Sequence, residues 1–507
     1  MKTTHKKDNT IILAKDELFS KSLLWKLQKE AYDQYGMQAW IEKGVPFYLT
    51  SNPHTAREYV NMTLAYLQDC LRIDSRTHID TSAPIYIFDL GAGSGRFAFL
   101  FLKQLMAALD LLALHTLKIC YVITDFVQSN LDFCAAHPQM QPFIQKGILD
   151  FALYDHSQTD QPIELILHNV KLKEPLKNPA ILIANYFFDT IPQDLFKVVD
   201  GKLLAGKITL SVPKEAVSES HTEIDPAWIN HLSASYDYTP YNPKDFYRNS
   251  NIDTVLNEYC QKFEGVPFLF PTGSCQTIEY FRKLTNNRFL LLASDQGVCT
   301  EEQVREWGEP HIALHGSFSI AVSYHALKSY FDNAGGIGLL TKQPDPLFVV
   351  LTAVIGGKKT DYPHLLLAFK NEFESFEPSD YWKIVSAVQT ETPNPTLQHL
   401  LALLKLGNWD PVNFNAFFDA IRSQIPHSSP AMQRQLCDAI ENVWENFYPV
   451  SPEEGGFIMN LGVLYFDMRH FEKALTYFER AESLSGKNPA LTQNIAVCKQ
   501  LIPSSSL

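Results

Sequence analysis

Ile85-Tyr86-Ile87-Phe88-Asp89-Leu90-Gly91-Ala92-Gly93-Ser94-Gly95-Arg96 decides how this chain is to be read. Its first six residues are an apolar run of strand length, and RFAFLFLKQLMAALDLL behind the glycines has the apolar spacing of a buried helix. Three alternating glycines between a strand and a helix let the backbone turn sharply and pass close to a ligand at the helix N-terminus. The dinucleotide fingerprint needs a third glycine at position 96, where this chain has Arg96.

Outward from this loop the alternation continues. CYVITDF, GILDFALYD and ILIANYFFDTIP read as three more buried strands, and strands alternating with helices imply a parallel sheet, because parallel neighbours need a crossover. FKVVDGKLLAGKITL reads as an antiparallel hairpin turning at Asp200-Gly201. Residues 213–265 are polar and carry Tyr236, Tyr238, Tyr241 and Tyr247; they read as a helical insertion or lid, with the tyrosines either an aromatic substrate wall or ordinary packing. TIEYFRKL (helix), RFLLLASD (strand), SFSIAVSYHALKSYF (helix) and GGIGLLTKQ (strand) follow, and the sheet closes near Val354. Residues 81–374 thus form an α/β domain. Residues 1–80 precede it as a helical preface, helical in spacing from Glu17 to Leu71 and broken by VPFYLTSNPHTA.

Beyond Glu374 only amphipathic helices are expected, making residues 375–507 an all-α domain. NLGVLYFDMRHFEKALTYFERAESL places Leu461, Gly462, Tyr465, Ala474, Phe478 and Ala481 in the tetratricopeptide (TPR) pattern. LLALLKLGNWDPVNFNAFFDAIRSQI, with Gly407 and Trp409 in its turn, looks like a degenerate partner. One repeat cannot bury its own face, so a short array from about 395 to 500 is expected.

With 507 residues, 46% of them hydrophobic, the chain can fill two or three cores at roughly 100–200 residues per domain. A net charge of −13, with no basic tract beyond a few N-terminal lysines, argues against nucleic acid as a partner. Cys70, Cys120, Cys134, Cys260, Cys275, Cys299, Cys437 and Cys498 are scattered, without C-x-x-C or zinc spacing; reduced thiols, a cytoplasmic setting and no metal are expected. No apolar run reaches the roughly 18 residues of a membrane span, and the N-terminus lacks the apolar core of a signal peptide.

Gly-x-Gly-x-Gly after an acidic strand end resembles the S-adenosylmethionine (SAM) loop of class I methyltransferases, which takes an amino acid and a ribose rather than a pyrophosphate. On that reading Gly91, Ala92, Gly93 and Gly95 line the cofactor. Asp89 either serves the methionine ammonium or satisfies loop amides. Asp125, closing the next strand, accepts from the ribose hydroxyls. Asp155, past the third strand, either accepts from the adenine amino group or caps a helix.

Ala184-Asn185-Tyr186-Phe187-Phe188-Asp189-Thr190-Ile191-Pro192 is similar to the ANEFFDALP signature of the MidA-type SAM-dependent methyltransferases, the family that includes a mitochondrial complex I assembly factor. Tyr48–Pro53 resembles that family's YxTSAPE loop, Ser294-Asp295-Gln296-Gly297 its IDYG, and GSFSIAVSYHALKSYF its DITAHVDFxxL helix, together covering about 45–350 discontinuously. The resemblance implies a Rossmann-like class I fold, SAM as cofactor and methyl transfer to a protein. Departures fall on acids: Tyr186 stands where the family has Glu, His54 where it has the Glu of Ala-Pro-Glu, and Gln296 where it has Tyr. The family is associated with arginine methylation, and a guanidinium wants carboxylates, so the loss of two acids counts against arginine.

Methyl transfer needs alignment and water exclusion more than acid–base help. Asp189, Asn185 and Asp295, at strand C-terminal ends where open α/β sheets bind ligands, are the candidate catalytic residues. Asp189 orients or deprotonates the nucleophile, or it caps the next helix while Asn185 pairs with backbone. Phe187 and Phe188 read as core more than as cofactor stacking. The expected function is transfer of a methyl group to a protein side chain, with the TPR-like helices contacting that protein or packing only. A small-molecule acceptor, and a non-catalytic scaffold working through the helices, are the alternatives.

Overall fold

The computed structural model describes residues 10–502 apart from 46, 73–77, 174, 218–223, 242–246, 248, 342–344, 346 and 393. The N-terminal lysines and the NPKDF of SYDYTPYNPKDFY therefore lie outside the described residues. The chain divides into two compact units, residues 1–50, 59–98 and 102–375 in one, and 51–58, 99–101 and 376–507 in the other.

The first unit opens with strand β1 (Thr10–Leu18), then helices α1 (Leu23–Tyr35), α2 (Gln38–Ile41) and α3 (Pro53–Leu71), the last counted with this unit from Tyr59 onward. The quoted stretch folds as β2 (Ile85–Leu90) and α4 (Arg96–Leu111), followed by β3 (Ile119–Asp125), α5 (Gln128–Ala136), β4 (Leu149–Leu153) and β5 (Ala180–Asn185). Next come β6 (Asp194–Val199), β7 (Lys202–Pro213), β8 (Ser233–Pro240), α6 (Ser250–Lys262), β9 (Pro267–Phe270), α7 (Thr272–Leu284) and β10 (Phe289–Asp295). Helix α8 (Tyr324–Asn333), β11 (Ile337–Leu340) and β12 (Val349–Ile355) complete the sheet elements.

Seven strands make the central sheet in the order β11-β12-β10-β5-β2-β3-β4. The pairs β4/β3, β3/β2, β2/β5 and β5/β10 are parallel, while β12 runs antiparallel to both β10 and β11. Strands β3, β10 and β12 are buried at every position, as a sheet covered on both faces requires. On one face Phe88, Leu182, Leu291 and Leu351 share a core with residues of α6, α7 and α8 such as Leu256, Phe281 and Phe331, each worth about 1.5–3 kcal/mol of burial. Chain order reverses between β2 and β5, which places a crevice outside their carboxyl ends.

A second, antiparallel sheet has the order β1-β7-β6-β9, with β8 also on β7. Its β6–β7 hairpin turns at Asp200 and Gly201, both at positive φ (52° and 68°), and the Glu264 carboxylate accepts from both amides.

Three expectations change here. The N-terminal preface is not wholly helical: Thr10–Leu18 is an edge strand on β7, and with only Ala14 of the strand buried its residues carry little alternation to mark it. The insertion is not wholly helical either. Tyr236 and Tyr238 share one face of β8, Tyr236 donates to the Pro310 carbonyl at 2.9 Å, and both pack with Phe19 and Trp228. Helix α8 begins only at Tyr324, where Ser323 caps it; Phe318–Ser319 and Val322–Ser323 are short bridges.

The second unit is helical: α9 (Pro378–Glu391), α10 (Leu397–Leu406), α11 (Pro430–Glu445), α12 (Gly455–Asp467), α13 (Phe471–Ser485) and α14 (Pro489–Leu501), with shorter helices such as Pro411–Ala416 and Phe418–Gln424 between. Thr396, Ser429 and Asn488 cap α10, α11 and α14 through side-chain oxygens. Gly462 gives α12 its close approach to α13, since a Cβ there would stand 2.7 Å from the Phe478 ring. His54 belongs to this unit, its ring 4.7 Å from Tyr381.

Candidate functional site

The glycine loop takes the conformation its residues allow. Gly91, Gly93 and Gly95 lie at φ of 66°, 54° and 73°, the left-handed region that side chains resist. The Ala92 amide donates to the Thr124 carbonyl at 3.0 Å, tying the loop to the end of β3. Added Cβ atoms would meet Phe187 Cδ2 at 3.0 Å from Gly91 and Trp40 Cζ2 at 2.8 Å from Gly93. An aromatic ring therefore lies against each of these glycines.

Asp125 closes β3 and braces the loop. Its Oδ1 accepts from the Val127 amide at 2.9 Å, and its Oδ2 accepts from the Gly93 amide and from Asn130 Nδ2, both at 3.2 Å. Burial raises its pKa to about 6 against these donors. Asp89, one strand over, accepts from the Tyr121 hydroxyl at 2.8 Å; burial, with the Asp125 charge, raises it to about 7. Asp155 is of another kind. Burial raises it, but Lys29 at 2.5 Å and the Ser157 hydroxyl and amide outweigh that and hold it at about 2.

The carboxyl ends of β5 and β10 bring the three candidate catalytic residues together. Asn185 and Ser294 are register partners, and the Tyr186 amide bonds to the Ser294 carbonyl at 2.9 Å. Asn185 Oδ1 accepts from the Tyr59 hydroxyl at 2.9 Å and from Ser294 Oγ at 2.8 Å. The Asp189 amide donates to Asp295 Oδ2 at 3.0 Å. Both carboxyls are buried, and desolvation raises both, Asp295 further because Asp189 stands beside it. Three buried polar atoms here have no hydrogen-bond partner among the described residues: Asn185 Nδ2, Asp189 Oδ1 and the Tyr324 hydroxyl. Gln296, where the resembled family has Tyr, instead donates to Ser319 Oγ, which also meets His315 Nε2 at 3.0 Å.

Sequence reasoning missed Tyr32 and Trp40. Tyr32 is buried on α1 within electrostatic reach of Asp189, Asp125 and Asp295, and its ring lies 6.0 Å from Trp40 and 6.3 Å from Phe126. Nothing in a helical run marks Tyr32. Trp40 at least lies close upstream of the Tyr48–Pro53 loop. Tyr186 carries a backbone signal invisible in sequence: a non-glycine residue at φ 49°, a strained conformation of the kind that collects at functional sites.

No protein-family model matches the chain, and no curated protein does. Solved structures overlap it loosely. An uncharacterized COG1565 superfamily protein from Burkholderia thailandensis is 13% identical, with a TM-score of 0.37, over 67% of this chain and 96% of its own. A COG1565 superfamily member from the same organism, bound to S-adenosyl-homocysteine, is 12% identical, with a TM-score of 0.36 and the same coverage. An O-methyltransferase family protein, also from B. thailandensis, is 8% identical, with a TM-score of 0.25, over 65% and 69%. At such scores the fold rests on the chain's own strand order, and the site on its own residues. Among the described residues no helix is long and apolar enough to cross a membrane, and no group of His, Cys, Asp and Glu could hold a metal ion.

Proposed function

We propose that the chain is a class I SAM-dependent methyltransferase related to the MidA type. The observation that carries this is the loop at the sheet's switch point: three glycines at positive φ, braced through the Gly93 amide by the acid that ends the next strand. A mostly parallel seven-stranded sheet whose antiparallel strand enters between the fifth and sixth supports this class over a dinucleotide-binding one.

The residues present fit the cofactor. The glycines put no side chain into the loop, and Asp125 Oδ2, whose two bonds are both long, is placed to accept from a ribose hydroxyl. Asp89, Asp125, Asp189 and Asp295 form a buried acidic field suited to a ligand bearing ammonium and sulfonium charges. When bound, SAM supplies an activated methyl group. The chain's own part is to exclude water, align the acceptor through Asn185, and take its proton on Asp189. Asp155, paired with Lys29, is a brace between α1 and the segment after β4 rather than an adenine ligand. The helices of residues 375–507, TPR-like at Gly462, Ala474 and Ala481, would contact a protein carrying the acceptor, and the free cysteines suit a reducing cytoplasm.

Calorimetric titration with SAM, with Gly93→Arg as control, tests this; absence of binding at millimolar ligand overturns it. Asp189→Asn should then lower turnover by about 10²–10⁴-fold, the usual worth of a proton acceptor, with SAM affinity unchanged. Equal loss of both would place Asp189 in the cofactor site.

A further inference from the structure

The three unpartnered atoms at the ends of β5 and β10 describe what the site is built to hold. Asn185 Nδ2 offers hydrogens and has nowhere to place them, because its own Oδ1 is held by Tyr59 and Ser294. Asp189 Oδ1 accepts from no amide or hydroxyl among the described residues, on a residue 5% exposed whose carboxyl otherwise meets only that of Asp295 and its own backbone. The Tyr324 hydroxyl, on a fully buried side chain within electrostatic reach of Asp295, Asp189 and Tyr59, can give or receive. Leaving such groups unpaired costs about 1–3 kcal/mol each, so a ligand that pairs them gains that much.

Resting on the methyltransferase reading, we propose that the acceptor is a neutral hydroxyl, held between Asn185 Nδ2 and Asp189 Oδ1 and methylated on oxygen. One oxygen bearing one hydrogen satisfies a donor and an acceptor together. A guanidinium or an ammonium cannot, since each has donors only and would turn them against the amide hydrogens of Asn185. The hydroxyl oxygen bonds to the methyl carbon as the methyl–sulfur bond breaks, the electron pair staying on sulfur, and the hydroxyl proton passes to Asp189. Burial keeps Asp189 basic enough to receive that proton near neutrality, raising it to about 7 against the hydrogen bond with the Asp295 side chain, which lowers it. Tyr186 on the chain, instead of an acid, removes one charge that a cationic acceptor would use.

The test is to incubate the full chain with SAM carrying a ¹³C methyl group and a cell extract, and to find by NMR whether the transferred carbon is bonded to oxygen or nitrogen. Oxygen is expected. A nitrogen-bound methyl, whether guanidinium, amine or carboxamide, overturns the proposal while leaving the methyltransferase reading intact. No transfer despite calorimetric SAM binding also overturns it; failure of SAM to bind removes both. Asn185→Asp exchanges the donor for an acceptor and should cut turnover at least about tenfold, one lost hydrogen bond, with SAM affinity held. Unchanged or faster turnover would show that the site wants a cation.

Discussion

Gly93→Ala is the sharpest probe of the loop. Two costs are separable in the structure. An alanine at φ 54° pays for the left-handed region, about 1–2 kcal/mol. Its Cβ would also stand 2.8 Å from Trp40 Cζ2, a contact real Cβ atoms do not make, and moving an indole to relieve it costs about 1–3 kcal/mol. The sum is about 2–5 kcal/mol. Trp40→Ala in the same background removes the second cost and leaves the first. A double-mutant cycle in urea should therefore give a coupling between positions 93 and 40 of about 1–3 kcal/mol, with the double variant less destabilised than the two single losses added. SAM titration of the same four proteins should show the double variant binding more tightly than Gly93→Ala. A Gly93→Ala protein within about 0.5 kcal/mol of wild type, or additive losses, would mean that neither the turn nor the indole constrains this loop.

Other consequences are as direct. The pKa of Asp89 is raised to about 7 in the fold from an ordinary 3.8, so its folded form holds a proton that the unfolded chain releases. Its contribution to stability is full below the ordinary value, declines as pH climbs from about 4 to about 7, and is absent above; Asp89→Asn should flatten that decline in denaturation midpoints, and an unaltered profile would count against the assignment. SAM should bind more tightly at pH 8 than at pH 5.5, because Asp125 and Asp89 ionise between those values and attract its positive charge; calorimetry showing the opposite trend would refute an acidic cofactor field. Gly462→Ala should destabilise the second unit, its contact with Phe478 costing about 1–3 kcal/mol against about 1 kcal/mol of helix propensity gained. Phe478→Leu should rescue it, and a thermal scan reads both.

What the sequence made legible follows the range of the forces involved. The strands of the central sheet and the helices after them announce themselves through local periodicity, and the Asp200-Gly201 turn through its dihedral demands. The edge strand β1 and the strand β8 do not, because each is held by β7 from far along the chain and buries little of itself. At the site, the same limit separates residues. Asp89, Asp125, Asn185 and Asp295 lie at strand ends and Asp189 in the short turn just past β5, so their convergence follows from topology. Tyr32 and Trp40 reach that region from the preface by tertiary packing alone, and Lys29, which claims Asp155, comes from the same helix as Tyr32. The left-handed Tyr186 is a property of the folded backbone and has no residue signature.

Trp40 against Gly93 also makes the loop optically readable. An indole touching the glycine turn senses whatever arrives there through the polarity and quenching around its ring, so steady-state emission would track occupancy without any label. Six other tryptophans contribute to the signal, and Trp40→Phe isolates the one that matters: the change on adding ligand that disappears in this variant belongs to the loop, and its rate in a stopped-flow mixer is the rate at which the turn is engaged.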